Sequence, residues 1–156
     1  MKELSTLVED IYSTVTSLTD GGEIPDILLN ELGETIKQTI KTWATPQNRN
    51  KFTLRMSNIG KPARQLYYSK HQTQEVKHSP ETQIKFLYGH LLEDILIFFV
   101  KLSGHEVTDE QKEVTVNGIK GHMDCKIDGE VIDIKTASHF GFKKFKNKTL
   151  RDDDPL

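Results

Sequence analysis

Asp124, Asp133 and Lys135 have residue types and spacing that could do phosphodiester chemistry. They lie in the stretch I-K-G-H-M-D-C-K-I-D-G-E-V-I-D-I-K-T-A-S, residues 119–138. Asp128-Gly129 within it is a two-residue hairpin signal, because both central residues of a type I′ turn need positive φ. With that turn in place Ile127 faces Glu130, Asp124 lies opposite Asp133, and His122 lies opposite Lys135. Side chains alternate along a strand, so one face carries His122, Asp124, Lys126, Val131, Asp133 and Lys135. The other carries Met123, Cys125, Ile127, Ile132 and Ile134 and is expected to face a core.

Carboxylates directly opposite each other have Cβ atoms about 4.5–5.5 Å apart and repel. Either Lys135 or a divalent cation must offset that repulsion. Mg²⁺ takes oxygen ligands and keeps several waters, so one or two carboxylates and a phosphate make an ordinary site for it. Two acids, a metal and an ammonium meet the needs of phosphodiester hydrolysis: the metal polarises the phosphate and lowers the pKa of a bound water. The lysine positions that water or neutralises charge on the phosphate. A solvated hairpin of mixed charge is the ordinary alternative, and D-x8-D-x-K alone favours it.

The element best placed to support the hairpin is a long helix. Ser79-Pro80-Glu81 supplies an N-cap, a proline at the first position and an acid in the first turn, and Gly104 closes the helix after Ser103. One stripe is Ile84, Tyr88, Leu91, Ile95, Phe98 and Leu102, and a second holds Phe86, Gly89, Glu93, Leu96 and Ile97. The second half is thus apolar nearly all round and expected to be buried. Glu93 in this setting needs a partner: a lysine or arginine, or a metal shared with the hairpin acids. His90 points elsewhere on the wheel. Short strands are expected at 105–107 and 113–116, with Asn117-Gly118 as another type I′ signal, so 112–136 reads as a three-stranded antiparallel meander.

Before the long helix, apolar residues at helical spacing predict helices over 3–18 and 25–44, an N-terminal helical hairpin over 1–45 separated by a polar linker from a domain over 51–156. In K-F-T-L-R-M-S-N-I-G-K-P-A-R-Q-L-Y-Y-S-K, Ser57 or Asn58 starts a turn and Pro62 begins a short helix. Lys61, Arg64 and the helix start could receive a phosphate, and Tyr67 and Tyr68 could stack on bases. A solvated basic helix with its tyrosines packed down is as well supported. Gly60-Lys61 is not a Walker loop. After the hairpin, Phe142-Lys143-Lys144-Phe145-Lys146-Asn147-Lys148 and Arg151 put positive charge where a phosphate backbone could run, with a solvated helix as the alternative.

The chain has 156 residues and a formal charge of −2, so there is no global basic signature for nucleic acid. Its one cysteine, Cys125, excludes a disulfide within the chain and a cysteine-held zinc or iron–sulfur site. A buried thiol and a reducing cytosol are expected. No apolar run resembles a signal peptide or is long enough to span a membrane.

The order of these parts resembles the PD-(D/E)xK nuclease superfamily, in particular the RecB-like exonucleases of phages and CRISPR-associated systems. The residues that carry the resemblance are Gly89-His90-Leu91-Leu92-Glu93, Gly121-His122-Met123-Asp124 and Asp133-Ile134-Lys135, with Ser57 to Arg64 similar to the family's S-x-x-x-x-C-P-x-R segment. It covers roughly residues 53–154. The resemblance implies an α/β (α+β) restriction-endonuclease-like core, with a mixed or antiparallel sheet flanked by helices. It implies Mg²⁺ or Mn²⁺ held by Glu93, Asp124, Asp133 and the backbone carbonyl of Ile134, with Lys135 as the catalytic lysine. DNA is the implied partner, along Ser57, Lys61, Arg64, Tyr68, Lys143, Lys144 and Lys146. Lys61 replaces the family cysteine, so no iron–sulfur cluster is expected. Relatives continue into a helix with Q-x-x-x-Y, whereas this sequence stops at Leu156, so a complementing C-terminal piece or a homo-oligomer is expected to complete the unit. The implied function is a metal-dependent deoxyribonuclease, an exonuclease of phage type acting in the host cytoplasm. The alternatives are a homing or repair-type endonuclease with the same core, and a nuclease-like fragment that binds DNA or a protein without cutting.

Overall fold

Ser79-Pro80-Glu81 starts the longest helix as its residue types require. The computed structural model describes residues 2–45, 52–71 and 78–147. In it α4 spans Pro80–Leu102, and the Ser79 hydroxyl accepts from the Thr82 amide at 3.4 Å. Three helices precede it: α1 Leu7–Thr19, α2 Asp26–Ala44 and α3 Ala63–His71. Gly104 ends α4 with φ +82. The Gly104 N–H donates to the Lys101 carbonyl and the His105 N–H to that of Val100, the paired bonds of a Schellman cap. Ile97, Phe98 and Val100 are buried, but Ile84, Tyr88, Phe86 and Leu96 are exposed. Burial is therefore narrower than the composition of α4 suggests, because α1 and α2 cover one side only.

The two N-terminal helices lie where the apolar spacing puts them. Both pack on α4, and Leu4, Leu7 and Ile11 reach a core of Val100, Cys125 and Ile127. Polar contacts fix α2: Thr39 Oγ1 donates to Asp94 Oδ2 at 2.7 Å, and Trp43 Nε1 donates to the Gln83 carbonyl at 3.1 Å. These helices share one compact unit with α4 and the hairpin, made of Met1–Pro46, His78–Lys112 and His122–Ile134.

The Asp128-Gly129 turn forms with φ +50 and +89. It sets β4 Cys125–Ile127 against β5 Glu130–Ile132 in the antiparallel register Cys125↔Ile132, Lys126↔Val131, Ile127↔Glu130, as the turn chemistry dictates. Cys125 and Ile127 are 0 and 2% exposed, with Ile132 and Ile134 packed beside them, so the apolar face is the core face. The Cys125 thiol is pushed up to about 11, by burial first and then by the charges of Asp124, Glu110 and Glu93. Iodoacetamide at about pH 8 is expected to modify it at least ~100-fold more slowly in the folded protein than in denaturant, read by mass spectrometry.

The third strand differs from the expected meander. It is β1 Val107–Thr108, antiparallel to β4, giving the order β1-β4-β5. β2 Glu113–Val116 and β3 Ile119–His122 form a separate two-stranded sheet around Asn117-Gly118, whose φ values are +51 and +77. The cause of the split is local. Asp109 and Gln111 take left-handed φ of +55 and +50 between β1 and β2, and Met123-Asp124 interrupts the strand between β3 and β4. The Gln111 N–H donates to the Asp124 carbonyl at 2.8 Å and the Met123 N–H to that of Lys112 at 3.1 Å. The described chain is α+β, with small antiparallel sheets and helices.

A second compact unit comprises Gln47–Lys77, Glu113–Gly121 and Lys135–Leu156. Its described parts are a 3-10 turn at Met56–Asn58, α3, most of the β2–β3 sheet and α5 His139–Lys146. Arg55 and Lys120 form a single parallel bridge. Gly121 lies so close to Met56 that an added Cβ would meet its sulfur at 2.7 Å. Ser138 caps α5, accepting from the Gly141 amide at 3.1 Å. Lys148, Arg151 and the Asp152–Asp154 run fall outside the described residues.

Candidate metal and nucleic-acid sites

Glu93 projects from the middle of α4, and Asp124 sits in the break between β3 and β4. Gln111 touches both residues, Glu93 through its side chain and Asp124 through its backbone. Burial and then the Asp124 charge push the Glu93 pKa up, and the Gln111 amide, donating to Glu93 Oε1 at 2.5 Å, only partly offsets them. Asp124 Oδ2 accepts from the Ile134 N–H at 2.6 Å. Strand pairing stops one step short of Asp124 and Asp133, and this side-chain bond crosses the hairpin in its place. The contact shown at Ile134 is thus through its N–H. Asp133 is exposed just beyond β5, and Lys135 is exposed as the first residue of a segment of the second unit. Among the described residues no three His, Cys, Asp or Glu side chains converge as a metal-holding group. Glu93 and Asp124 are two carboxylates that act on each other electrostatically, and Asp133 is not gathered into a triad with them. A like-charged oxygen pair of this kind is the donor chemistry that suits a hard divalent cation.

Gln111 was not foreseen as a site residue. Its side chain holds Glu93 and its backbone holds Asp124, from a left-handed conformation that costs a non-glycine residue energy. Nothing in the spacing of Gln111 from either acid marks it. Gln111→Ala is expected to lower any activity that depends on Glu93 about ten- to a hundredfold, the loss of one hydrogen bond to a charged group. The rate constant of that reaction under single turnover checks this.

The remaining members of the polar hairpin face have partners. Lys126 Nζ pairs with Asp109 at 2.9 Å, and Asp109 also takes Lys112 at 2.8 Å. Those contacts hold the Asp109 carboxyl below the usual carboxylate range. A cleft between α2 and α4 also carries charge, with Lys101 set between two of its acids. Lys101 reaches Glu110 at 2.6 Å and also Glu31. Burial works against the Lys101 charge, and the two glutamates outweigh it and raise the Lys101 pKa.

A second unforeseen cluster centres on His105, which the Schellman cap turns into the core with its side chain 0% exposed. His105 Nδ1 lies 2.5 Å from Asp128 Oδ2, and Nε2 lies 3.1 Å from Asp10 Oδ2. Carboxylates only accept, so both bonds form when both ring nitrogens carry hydrogen. Asp128 Oδ1 also accepts from the Glu106 N–H at 3.0 Å. Lys2 joins Asp10 at 3.1 Å and the Ser103 carbonyl at 2.6 Å. This network ties α1, the end of α4 and the β4–β5 turn.

The expected nucleic-acid contacts all lie in the second unit. Ser57 is exposed in the 3-10 turn, Lys61 precedes α3, Arg64 and Tyr68 are exposed on α3, and Lys143, Lys144 and Lys146 lie on α5. The net charge of −2 conceals a strong segregation. The described residues of the second unit hold nine Lys and Arg against one acid, Glu113, while those of the first hold seven against 18 Asp and Glu. Compared with family models, curated proteins and solved structures, the chain matches none of them.

Proposed function

We propose that this chain is a metal-dependent deoxyribonuclease built on a restriction-endonuclease-like core, with Glu93, Asp124, Asp133 and Lys135 as its reactive centre. The observation that supports the reading is that Gln111 ties Glu93 of α4 to Asp124 of the hairpin, bonding one by its side chain and the other by its backbone. Two acids on different elements, held against their own repulsion by Gln111 and the Ile134 amide, are a costly arrangement that a cation relieves. Bound Mg²⁺ or Mn²⁺ supplies Lewis acidity toward a phosphate oxygen and a water of lowered pKa. Glu93 and Asp124 would hold the cation, with Asp133 as a further ligand. The Lys135 ammonium neutralises charge on the phosphate under attack. The basic second unit draws in the DNA backbone. The single buried thiol suits a reducing cytoplasm, and no helix among the described residues is long and apolar enough to cross a membrane.

The test is incubation of the purified chain with end-labelled linear and closed circular DNA, in Mg²⁺, in Mn²⁺ and in chelator, beside Lys135→Ala. Metal-dependent loss of the linear DNA, abolished in the variant, is the expected result, and sparing of the circle makes the enzyme an exonuclease. No cleavage by the folded chain in either metal overturns the reading.

A further inference from the structure

α3 and α5 bury no residue, yet both are rich in rings. At about 100° per residue, Arg64, Tyr67, Tyr68 and His71 share one face of α3, opposite the half-buried Leu66. These groups touch one another in the open, edge to face or tilted. The Tyr67 ring lies 5.8 Å from Tyr68 at 81° and 4.3 Å from His71 at 39°, and the Arg64 guanidinium carbon sits 5.7 Å over the Tyr68 ring. Tyr67 and Tyr68 are 60 and 59% exposed, and Phe140, Phe142 and Phe145 of α5 are 77, 57 and 69% exposed. Phe142 and Phe145 each adjoin a lysine in the sequence.

Phenylalanines left this far in water call for an occupant that has flat apolar faces and accepts neighbouring cations. An apolar helix or a second copy of this basic unit lacks the negative charge. A duplex offers phosphates but keeps its bases paired inside. A single strand offers both, an unpaired base face and a phosphate at every step, and stacking on aromatic rings needs no particular sequence.

We propose that the second unit binds single-stranded nucleic acid without metal, stacking unpaired bases on the Tyr67–Tyr68 cluster of α3 and on Phe142 and Phe145 of α5, with Lys61, Lys143 and Lys146 on the phosphates. This rests on the nucleic-acid reading above but not on cleavage.

The experiment is fluorescence anisotropy of the full chain in chelator, so that no cleavage enters and failure of binding is read apart from failure of the nuclease. The probes are a thymidine oligonucleotide of about twelve residues, an abasic strand with the same phosphates, and a duplex of equal length. The thymidine strand is expected to bind about tenfold or more tighter than the abasic strand and tighter than the duplex. Tyr67→Leu with Tyr68→Leu, and separately Phe142→Leu with Phe145→Leu, should each remove about tenfold of that affinity and leave the abasic strand within about twofold. Leucine keeps helix propensity and apolar area, and circular dichroism confirms the fold of each variant. Equal binding of thymidine and abasic strands, preference for the duplex, or equal loss on both strands in the variants overturns the proposal. So does binding to phosphatidylserine vesicles in the absence of any binding to the thymidine strand.

Discussion

Asp124→Asn is expected to lower metal-dependent DNA cleavage by about a thousandfold. The substitution keeps size and leaves an amide oxygen that still accepts from the Ile134 N–H, now bonded to Asp124 Oδ2 at 2.6 Å, so the hairpin should survive. It removes the negative charge that stands beside Glu93 and helps raise its pKa. The Glu93 carboxyl should then titrate closer to the ordinary glutamate range, visible in a carbon-detected NMR titration. A folded Asp124→Asn variant that cleaves within about tenfold of the native chain would remove Asp124 from the centre. Asp133→Ala is expected to follow the same pattern, with a larger loss in single turnover than in the affinity for uncut DNA.

His105→Ala is expected to destabilise the fold by roughly 3 kcal/mol, or about 6–12 °C in Tm, because it empties a fully buried ring position and removes two hydrogen bonds. The same cluster sets an acid limit. Asp128 is held below the usual carboxylate range by His105 first and by the Glu106 amide. Asp10 is held below it by Thr6 first, then Lys2, with His105 a smaller contributor. A carboxylate with a depressed folded pKa stabilises the fold fully above its unfolded pKa, and that stabilisation is lost as pH falls through the folded value. Glu93 and Asp94 run the other way, because burial raises both: their ionised forms cost stability, and protonation relieves that cost. The stabilisation from Asp128 and Asp10 should therefore be fully present above about pH 3.8 and be lost as pH falls below it. Asp128→Asn should flatten that acid limb in urea titrations at a series of pH values, and an unchanged limb would place acid sensitivity elsewhere.

Local chemistry made much of the fold legible. Asp128-Gly129 fixes the turn and hence the register of three residue pairs. Ser79-Pro80 and Gly104 bound α4 within a residue of where capping rules put it. Apolar spacing places α1 and α2. Long-range consequences were less legible. The split of the expected meander depends on left-handed Asp109 and Gln111, residues whose types permit but do not announce that conformation. The His105 cluster joins residues distant in sequence, Asp10, His105 and Asp128, and Asp128 already had a complete local role as a turn residue. In the candidate site, the elements that carry Glu93 and Asp124 followed from the helix caps and the Asp128-Gly129 turn. Gln111 could not be foreseen, because its contacts arise from the same irregular segment. The total charge hid the basic unit, since the acids of the first unit as a whole outweigh it.

The central claim is that Glu93 and Asp124 hold a divalent cation. At 17.9 kDa the chain suits amide NMR, and adding Mn²⁺ broadens resonances within about 15–20 Å of wherever it binds, most strongly those nearest it. The account predicts saturable broadening centred on Glu93, Gln111, Asp124 and the Ile134 amide, absent in Asp124→Asn. Broadening centred instead on the Glu31–Lys101–Glu110 cluster, or persisting unchanged in Asp124→Asn, would contradict it.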